Sequence, residues 1–422
     1  MCEDFLQYIW QHCLYLPKEN LTDDGEPVIP LQPGQLNRDA GPDFTDARVR
    51  IGDTLWAGCV EIHLRSSDWE RHGHHTDPAY NNVVLHVVYR NDADTYNARR
   101  QKIPVMELHF DDRYYEKYHQ LIDSRLHISC RDELCKIDRF SLESWLERLA
   151  VERLEQKAAA IKQVYVATGN HWEETLYQRL ARNFGFSLNA LPFESLAKSL
   201  PINILLKHRD NLLQIEALLF GQAGMLADDN IIDAYYVELR NEYFYLQKKY
   251  NLTPIDRFLW KFLRLRPINF PTLRVAQFAC LIYRNDHLFS QITEAKSVDT
   301  LEKLFDLKAS EYWDTHYAFG KESPLRNKPL GKSAFRTVLI NTVIPFLFVY
   351  GKARGKEDFC TRAVTLLESL PAEKNAILTQ WEEAGVRNPN AFTSQALLQL
   401  NNEYCQPKRC LHCVIGNRIV RN

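Results

Sequence analysis

The sequence predicts an α+β protein, a mixed α/β domain followed by a larger all-α domain, from three observations. Residues up to about 110 contain runs in which polar and apolar side chains alternate, punctuated by turn dipeptides. From Ser141 onward the apolar spacing becomes helical. No fixed-period repeat marks the helical part as a solenoid. The expected division is a mixed α/β domain over 1–137, an all-α domain over 138–404, and a cysteine-rich tail over 405–422.

Glu3 to Leu16 reads as an amphipathic helix with Phe5, Ile9, Trp10 and Cys13 on its apolar stripe. Val28 to Leu31 reads as a strand, closed by the break Pro33-Gly34. Thr45 to Ile51 alternates, Gly52-Asp53 is a turn pair, and Leu55 to Leu64 resumes the alternation, so the two runs form a hairpin. Val83 to Tyr89 and Ile103 to Phe110 are further strands. Ser144 and Glu147 have capping-box spacing before WLERLAVERLEQKAAAIKQV, a run rich in strong helix formers. Later helical stretches are Trp172–Phe184, Phe193–Ser199, Ile202–Phe220, Ile231–Tyr250, Thr272–Tyr283, Thr300–Phe305, Ser333–Tyr350, Lys356–Leu370 and Asn375–Glu383.

With 422 residues and 45% hydrophobic side chains, the chain has ample material for packed cores. A net charge of -2 gives no global signature of a nucleic-acid partner, so any basic surface must be local. The first residues carry acids instead of a basic flank, and no run of eighteen apolar residues occurs. A cytoplasmic protein without a membrane partner is expected.

Chemistry concentrates between Gly41 and Val88, which holds Asp43, Asp46, Glu61, His63, Asp68, His72, His74, His75, Asp77 and His86. Strand alternation puts Glu61 and His63 on one face and Val60, Ile62 and Leu64 on the other. Asp43 follows Gly41-Pro42, which fixes a turn at the start of its strand. Each of these side chains alone reads as an ordinary surface residue. Two acids, an E-x-H strand and an H-x-H-H-x-D loop together read as a metal or acid/base site. Asp43, Glu61, His63, Asp68, His74 and Asp77 are its candidate ligands.

Cysteines form a second pattern. Cys2, Cys13, Cys59, Cys280 and Cys360 are isolated and read as small core residues. Cys405, Cys410 and Cys413 form C-x4-C-x2-C, and Cys130 with Cys135 forms C-x4-C. Three clustered thiolates suit zinc or an iron-sulfur cluster, with His412, Cys130 or Cys135 as the fourth ligand.

Lys261, Arg264, Arg266 and Arg274 are interleaved with aromatics, a pattern that suits a nucleic-acid backbone with stacked bases. Lys321, Arg326, Lys328, Lys332 and Arg336 form a second basic cluster. Either cluster alone reads more readily as helix ends and a solvated face.

Pro42-Asp43 and Glu61-Ile62-His63 resemble the two motif elements of the PD-(D/E)xK nuclease superfamily. The resemblance implies that Asp43 and Glu61 hold Mg2+ or Mn2+ for phosphodiester hydrolysis, with Tyr80 as a further site residue. His63 stands where that family carries lysine, and an imidazole supplies no fixed positive charge. It acts instead as a ligand or water-orienting base. Three functions stay open: a metal-dependent nuclease, a non-catalytic nucleic-acid or protein interaction module on a degenerate nuclease-like domain, and a zinc hydrolase of another ester or amide. Over nearly the whole chain, NRDAGPDF, GCVEIHLRSSDWERHGHHTDPAYNNVVLHVVY, RPINFPTLRVAQFA and YCQPKRCLHCVIGN resemble a bacterial family known only as a domain of unknown function. That resemblance implies no activity.

Overall fold

Helix α1 (Glu3–Gln11) buries Phe5, Leu6, Ile9 and Trp10 completely, as the apolar stripe requires. It stops short of Leu16 because Cys13 takes a left-handed φ of 53°, and Cys13 is exposed instead of a core residue. The computed structural model describes residues 1–16 and 19–422, and it divides into two compact units, Met1–Trp145 with Leu400–Asn422, and Leu146–Gln399.

The first unit is built on a mixed sheet. Its strands are β1 (Val28–Gln32), β2 (Gln35–Leu36), β3 (Phe44–Ile51), β4 (Thr54–Arg65) and, after the short helix α2 (Asp68–Arg71), β5 (Val83–Arg90). A small ribbon of β6 (Thr95–Tyr96) and β7 (Lys102–Ile103) precedes the last sheet strand, β8 (Val105–Glu107). Sheet order is β1-β3-β4-β5-β8, with β2 also on β3. The β1, β3 and β4 neighbours are antiparallel; β5 pairs parallel with β4 and with β8. Ile51 faces Thr54 across the Gly52-Asp53 turn, where Gly52 has φ +56°. The strand expected over 103–110 is split, because Pro104 has no N–H for the ladder; its carbonyl instead accepts the His86 N–H at 2.9 Å. Helix α3 (Asp112–Asp123) follows, a helix the strand-like alternation around it did not reveal.

The expected tail is part of this first unit. Tyr8 donates its hydroxyl to the Asn417 carbonyl at 3.2 Å, and Arg418 pairs with Asp138.

The second unit is helical, as the periodicity predicts. The long helix Arg139–Ala167 begins within the first unit on Asp138, whose carboxylate accepts the Ser141 N–H at 2.8 Å, so Ser144 and Glu147 lie inside the helix and form no cap. The single helix expected over 202–220 breaks into Ile202–Leu206 and Leu212–Gln222, because Asn211 starts a new helix by accepting the Gln214 N–H. Lys332–Arg354 is the one helix among the described residues long and apolar enough to cross a membrane, and 78% of its apolar window is buried in the protein. A π turn at Leu339–Val343 interrupts it. Pro345 cannot donate to the Asn341 carbonyl one turn back, and the widened ladder leaves carbonyls that Lys157 (to Ile340, 3.3 Å) and Asn183 (to Asn341, 3.5 Å) meet.

Glu216, only 1% exposed, accepts the hydroxyls of Tyr235 and Ser310. Burial raises its carboxyl to about 7 from an ordinary 4.5. A raised acid binds its proton more tightly in the folded state, so its stabilisation is complete at low pH and is lost as pH rises through 7. Glu216→Gln is therefore expected to flatten a decline on the order of 2–3 kcal/mol between about pH 5 and about pH 8, read by urea unfolding. An unchanged pH slope would contradict the assignment.

Candidate metal centre on the central sheet

β4 carries Glu61 and His63 on the same face, and its parallel register sets Glu61 beside His86 of β5. Both faces of the strand are covered, so Glu61 and His63 are 5% and 2% exposed and are not surface residues. After β4, Asp68 accepts the Arg65 N–H at 3.1 Å and starts α2. Gly73, at φ +81°, then reverses the chain so that the loop returns over the sheet; the left-handed conformation there favours glycine. This return places His72 and His74 above Glu61 and His63.

The resulting contacts are close. His74 Nε2 lies 3.2 Å and His63 Nε2 3.5 Å from Glu61 Oε1. His63 Nε2 is 3.1 Å from His72 Nδ1, and His63 Nδ1 is 2.9 Å from His86 Nε2. Among the described residues, His63, His72 and His74 form the only group of three or more His, Cys, Asp or Glu side chains whose ligand atoms all lie within 4.8 Å of one another. His72 is exposed and the other two are buried, so the group opens to solvent on one side.

Asp43 and Glu61 are locked together across β3 and β4. The Asp43 N–H donates to Glu61 Oε2 at 2.9 Å, and the Ile62 N–H donates to Asp43 Oδ2 at 3.0 Å. Gln7 of α1 donates to Asp43 Oδ1 at 2.9 Å. Burial first, and the Glu61 charge second, raise the Asp43 carboxyl to about 7. Burial and neighbouring imidazoles lower His63 to about 2, and burial with His74 lowers His86 to about 3. Neutral imidazoles with available lone pairs are what a metal requires. If His63 Nε2 faces an ion, its Nδ1 carries the proton and donates to His86 Nε2. The proton on His86 then sits on Nδ1, a buried atom with no hydrogen-bond partner.

The remaining candidates have distinct places. Tyr80 stacks on His74 with ring centroids 3.8 Å apart, and burial with the Glu61 and Asp43 charges raises its hydroxyl to about 12. Trp69 lies edge-on to His74. Asp68 is buried but spends its carboxylate on the Arg65 N–H and on Arg71, 2.9 Å away. Asp77 is exposed and caps the turn at Ala79. Asp46 and His75 are exposed as well. Glu3 of α1, one helical turn before Gln7, also faces this centre: burial raises its carboxyl, and the His72, Asp68 and Glu61 charges act on it. Glu3, Gln7, His72 and His86 complete the surroundings. Glu3 and Gln7 lie one turn apart on α1, but Asp4 and Gln11 are polar too, so the sequence did not single them out.

Two basic expectations fail. Arg274 is 4% exposed; its guanidinium donates to Gln277 and Asn269 and lies over the Phe186 ring, so it offers nothing to a nucleic-acid backbone. Lys328 is likewise buried, donating to the Trp313 and His316 carbonyls. Lys261, Arg264 and Arg266 are exposed.

A family model described as "Protein of unknown function (DUF2851)" matches residues 3–376, a span that holds the whole His and carboxylate centre and Cys130. No curated protein and no solved structure matches the chain.

Proposed function

We propose that this chain, which belongs to the family of proteins of unknown function matched over residues 3–376, is a metal-dependent phosphodiester hydrolase acting on nucleic acid. The observation that carries the reading is the trio His63, His72 and His74 with ligand atoms within 4.8 Å, set against Glu61. Three imidazoles with a carboxylate favour Mn2+ or Zn2+ over Mg2+, which prefers oxygen ligands. A bound ion would supply Lewis-acid activation of water and of the phosphoryl group.

The chain's own residues do the rest. Asp43 and Gln7 fix Glu61 through the reciprocal bonds across β3 and β4, and His86 orients the His63 ring. Trp69 and Tyr80 wall the His74 side against water. The order of Asp43 at a strand start, then Glu61 and His63 on the next strand, supports the resemblance to the PD-(D/E)xK superfamily. Arg71 supplies the fixed positive charge that His63 lacks. Its guanidinium is held by buried Asp68, acts on the His63 ring and remains 70% exposed to an incoming phosphate.

Purified protein stripped with chelator and assayed on single-stranded and duplex DNA and RNA should regain cleavage with Mn2+ or Zn2+. Cleavage of no nucleic acid with any divalent ion overturns the phosphodiester reading. Hydrolysis confined to carboxylic esters or amides would instead select the zinc-hydrolase reading, which the imidazole-rich donor set also fits. Arg71→Gln is expected to slow phosphodiester cleavage on the order of tenfold or more without lowering metal content. Equal rates in the variant would remove Arg71 from the phosphate's path.

A further inference from the structure

A second set of metal-type side chains is gathered elsewhere in the first unit, and it plays no part in the proposed hydrolysis. We propose that Cys130, Cys405, Cys410 and Cys413 are the thiolate ligands of an iron-sulfur cluster that fastens the last residues of the chain to the segment after α3.

The first support is convergence. Lys408, between Cys405 and Cys410, reaches the Ser124 carbonyl and Ser129 Oγ next to Cys130, and the Cys413 N–H donates to the Cys410 carbonyl at 3.2 Å, so the chain brings the four cysteines together; each pair among them also interacts electrostatically. All four are free, with Cys130 and Cys413 buried and Cys405 and Cys410 half-buried.

Their backbone is arranged to hold them there. A π turn, Asn401–Cys405, ends on the first tail cysteine. Lys408, at φ +57°, reverses the chain between Cys405 and Cys410, and its ammonium donates to the Ser124 carbonyl at 2.8 Å and to Ser129 Oγ at 2.5 Å, next to Cys130. Helix Val414–Arg421 opens at Cys413, and the Ile415 and Gly416 N–H groups point at that sulfur together with the Trp145 side chain. Donors to sulfur are a standard means by which a protein stabilises ligated thiolates. Gly416 admits this turn: a Cβ there would stand 2.2 Å from the Cys410 carbonyl oxygen.

Neighbouring candidates are turned elsewhere. Cys135 is exposed and its thiol lies 3.7 Å from the Asp132 carbonyl. His412 faces Arg38, Asp4 and Arg409, and Cys2 contacts the Tyr118 hydroxyl at 3.6 Å.

Spacing selects the cofactor class. Four thiolates on one zinc ion stand about 3.8 Å apart, given Zn–S near 2.3 Å. Among the described residues no three cysteine sulfurs lie within 4.8 Å of one another, since the histidine trio is the only such group. Four thiols that converge with no three of them within 4.8 Å fit a polynuclear cluster. Ligation converts each thiol to a thiolate and releases its proton, and the bound cluster removes the cost of holding four sulfurs together inside the fold.

The test is made on the full-length protein purified without oxygen. It should carry about four iron and four acid-labile sulfides per chain, with broad visible absorption that bleaches on reduction. Cys135→Ser should keep that content, whereas Cys130→Ser should lose it. Wild-type protein containing zinc in place of iron, or containing neither, overturns the cluster, as does full iron and sulfide content in Cys130→Ser. If Cys130→Ser does not fold, wild-type and Cys135→Ser content decide: loss of iron in Cys135→Ser also overturns the ligand set. Glu61→Gln should retain the iron and sulfide, so failure of the hydrolase reading leaves this result distinct.

Discussion

Glu61→Gln is expected to reduce phosphodiester cleavage by roughly 10²–10⁴-fold while leaving the metal-free protein at least as stable as the parent. The carboxylate is 3.2 Å from His74 and 3.5 Å from His63, where its charge faces the ion the histidines would hold. Without an ion that charge opposes Asp43, whose carboxyl is raised to about 7 by burial and then by Glu61. Glutamine keeps an acceptor for the Asp43 N–H and removes the repulsion, so the two readouts should move apart. Cleavage rates together with urea unfolding in chelator would show it. Retained activity, or a metal-free variant destabilised by more than about 1 kcal/mol, contradicts this role.

Gly58→Ala is expected to cost about 1–3 kcal/mol in the first unit and to remove most activity with it. A Cβ at this point of β4 would stand 2.5 Å from the Asn82 carbonyl oxygen and 2.5 Å from Val84 Cγ1. Backbone cannot yield as a flexible side chain can, so β4 and the start of β5 must part. Cys59 N–H meets the Asn82 carbonyl at 2.8 Å, and the register then shifts by one residue between Cys59 and Val60, so that Glu61 lies beside His86; parting the strands here disturbs that irregular step. Thermal unfolding and metal content measured on one preparation test both halves; a variant with parental melting temperature would show that the strands accommodate the methyl group.

Local rules made much of this fold legible. The hairpin across Gly52-Asp53 and the helix Trp172–Phe184 follow directly from alternation and helical spacing. Events governed by single side-chain competition were less visible: Asp138 captured the helix start from Ser144, Asn211 divided the helix expected over 202–220, and Pro104 split a strand. Long-range placement was beyond local pattern. That α1 would bring Gln7 to Asp43, or that parallel pairing would set His86 behind His63, depends on tertiary assembly. The basic clusters show the converse limit, since nothing in the run around Arg274 distinguishes a guanidinium stacked on Phe186 inside the core from one in solvent.

In the proposed function, His63, His72 and His74 hold one divalent ion beside Glu61. Anomalous diffraction from crystals soaked in Mn2+ or Zn2+ tests it most directly. A peak is expected at about 2.1 Å from His63 Nε2, His72 Nδ1 and His74 Nε2, whose ligand atoms already lie within 4.8 Å of one another, with the rings closing on the ion. Crystals that show the ion only at other residues, with these three rings unmoved, would contradict it.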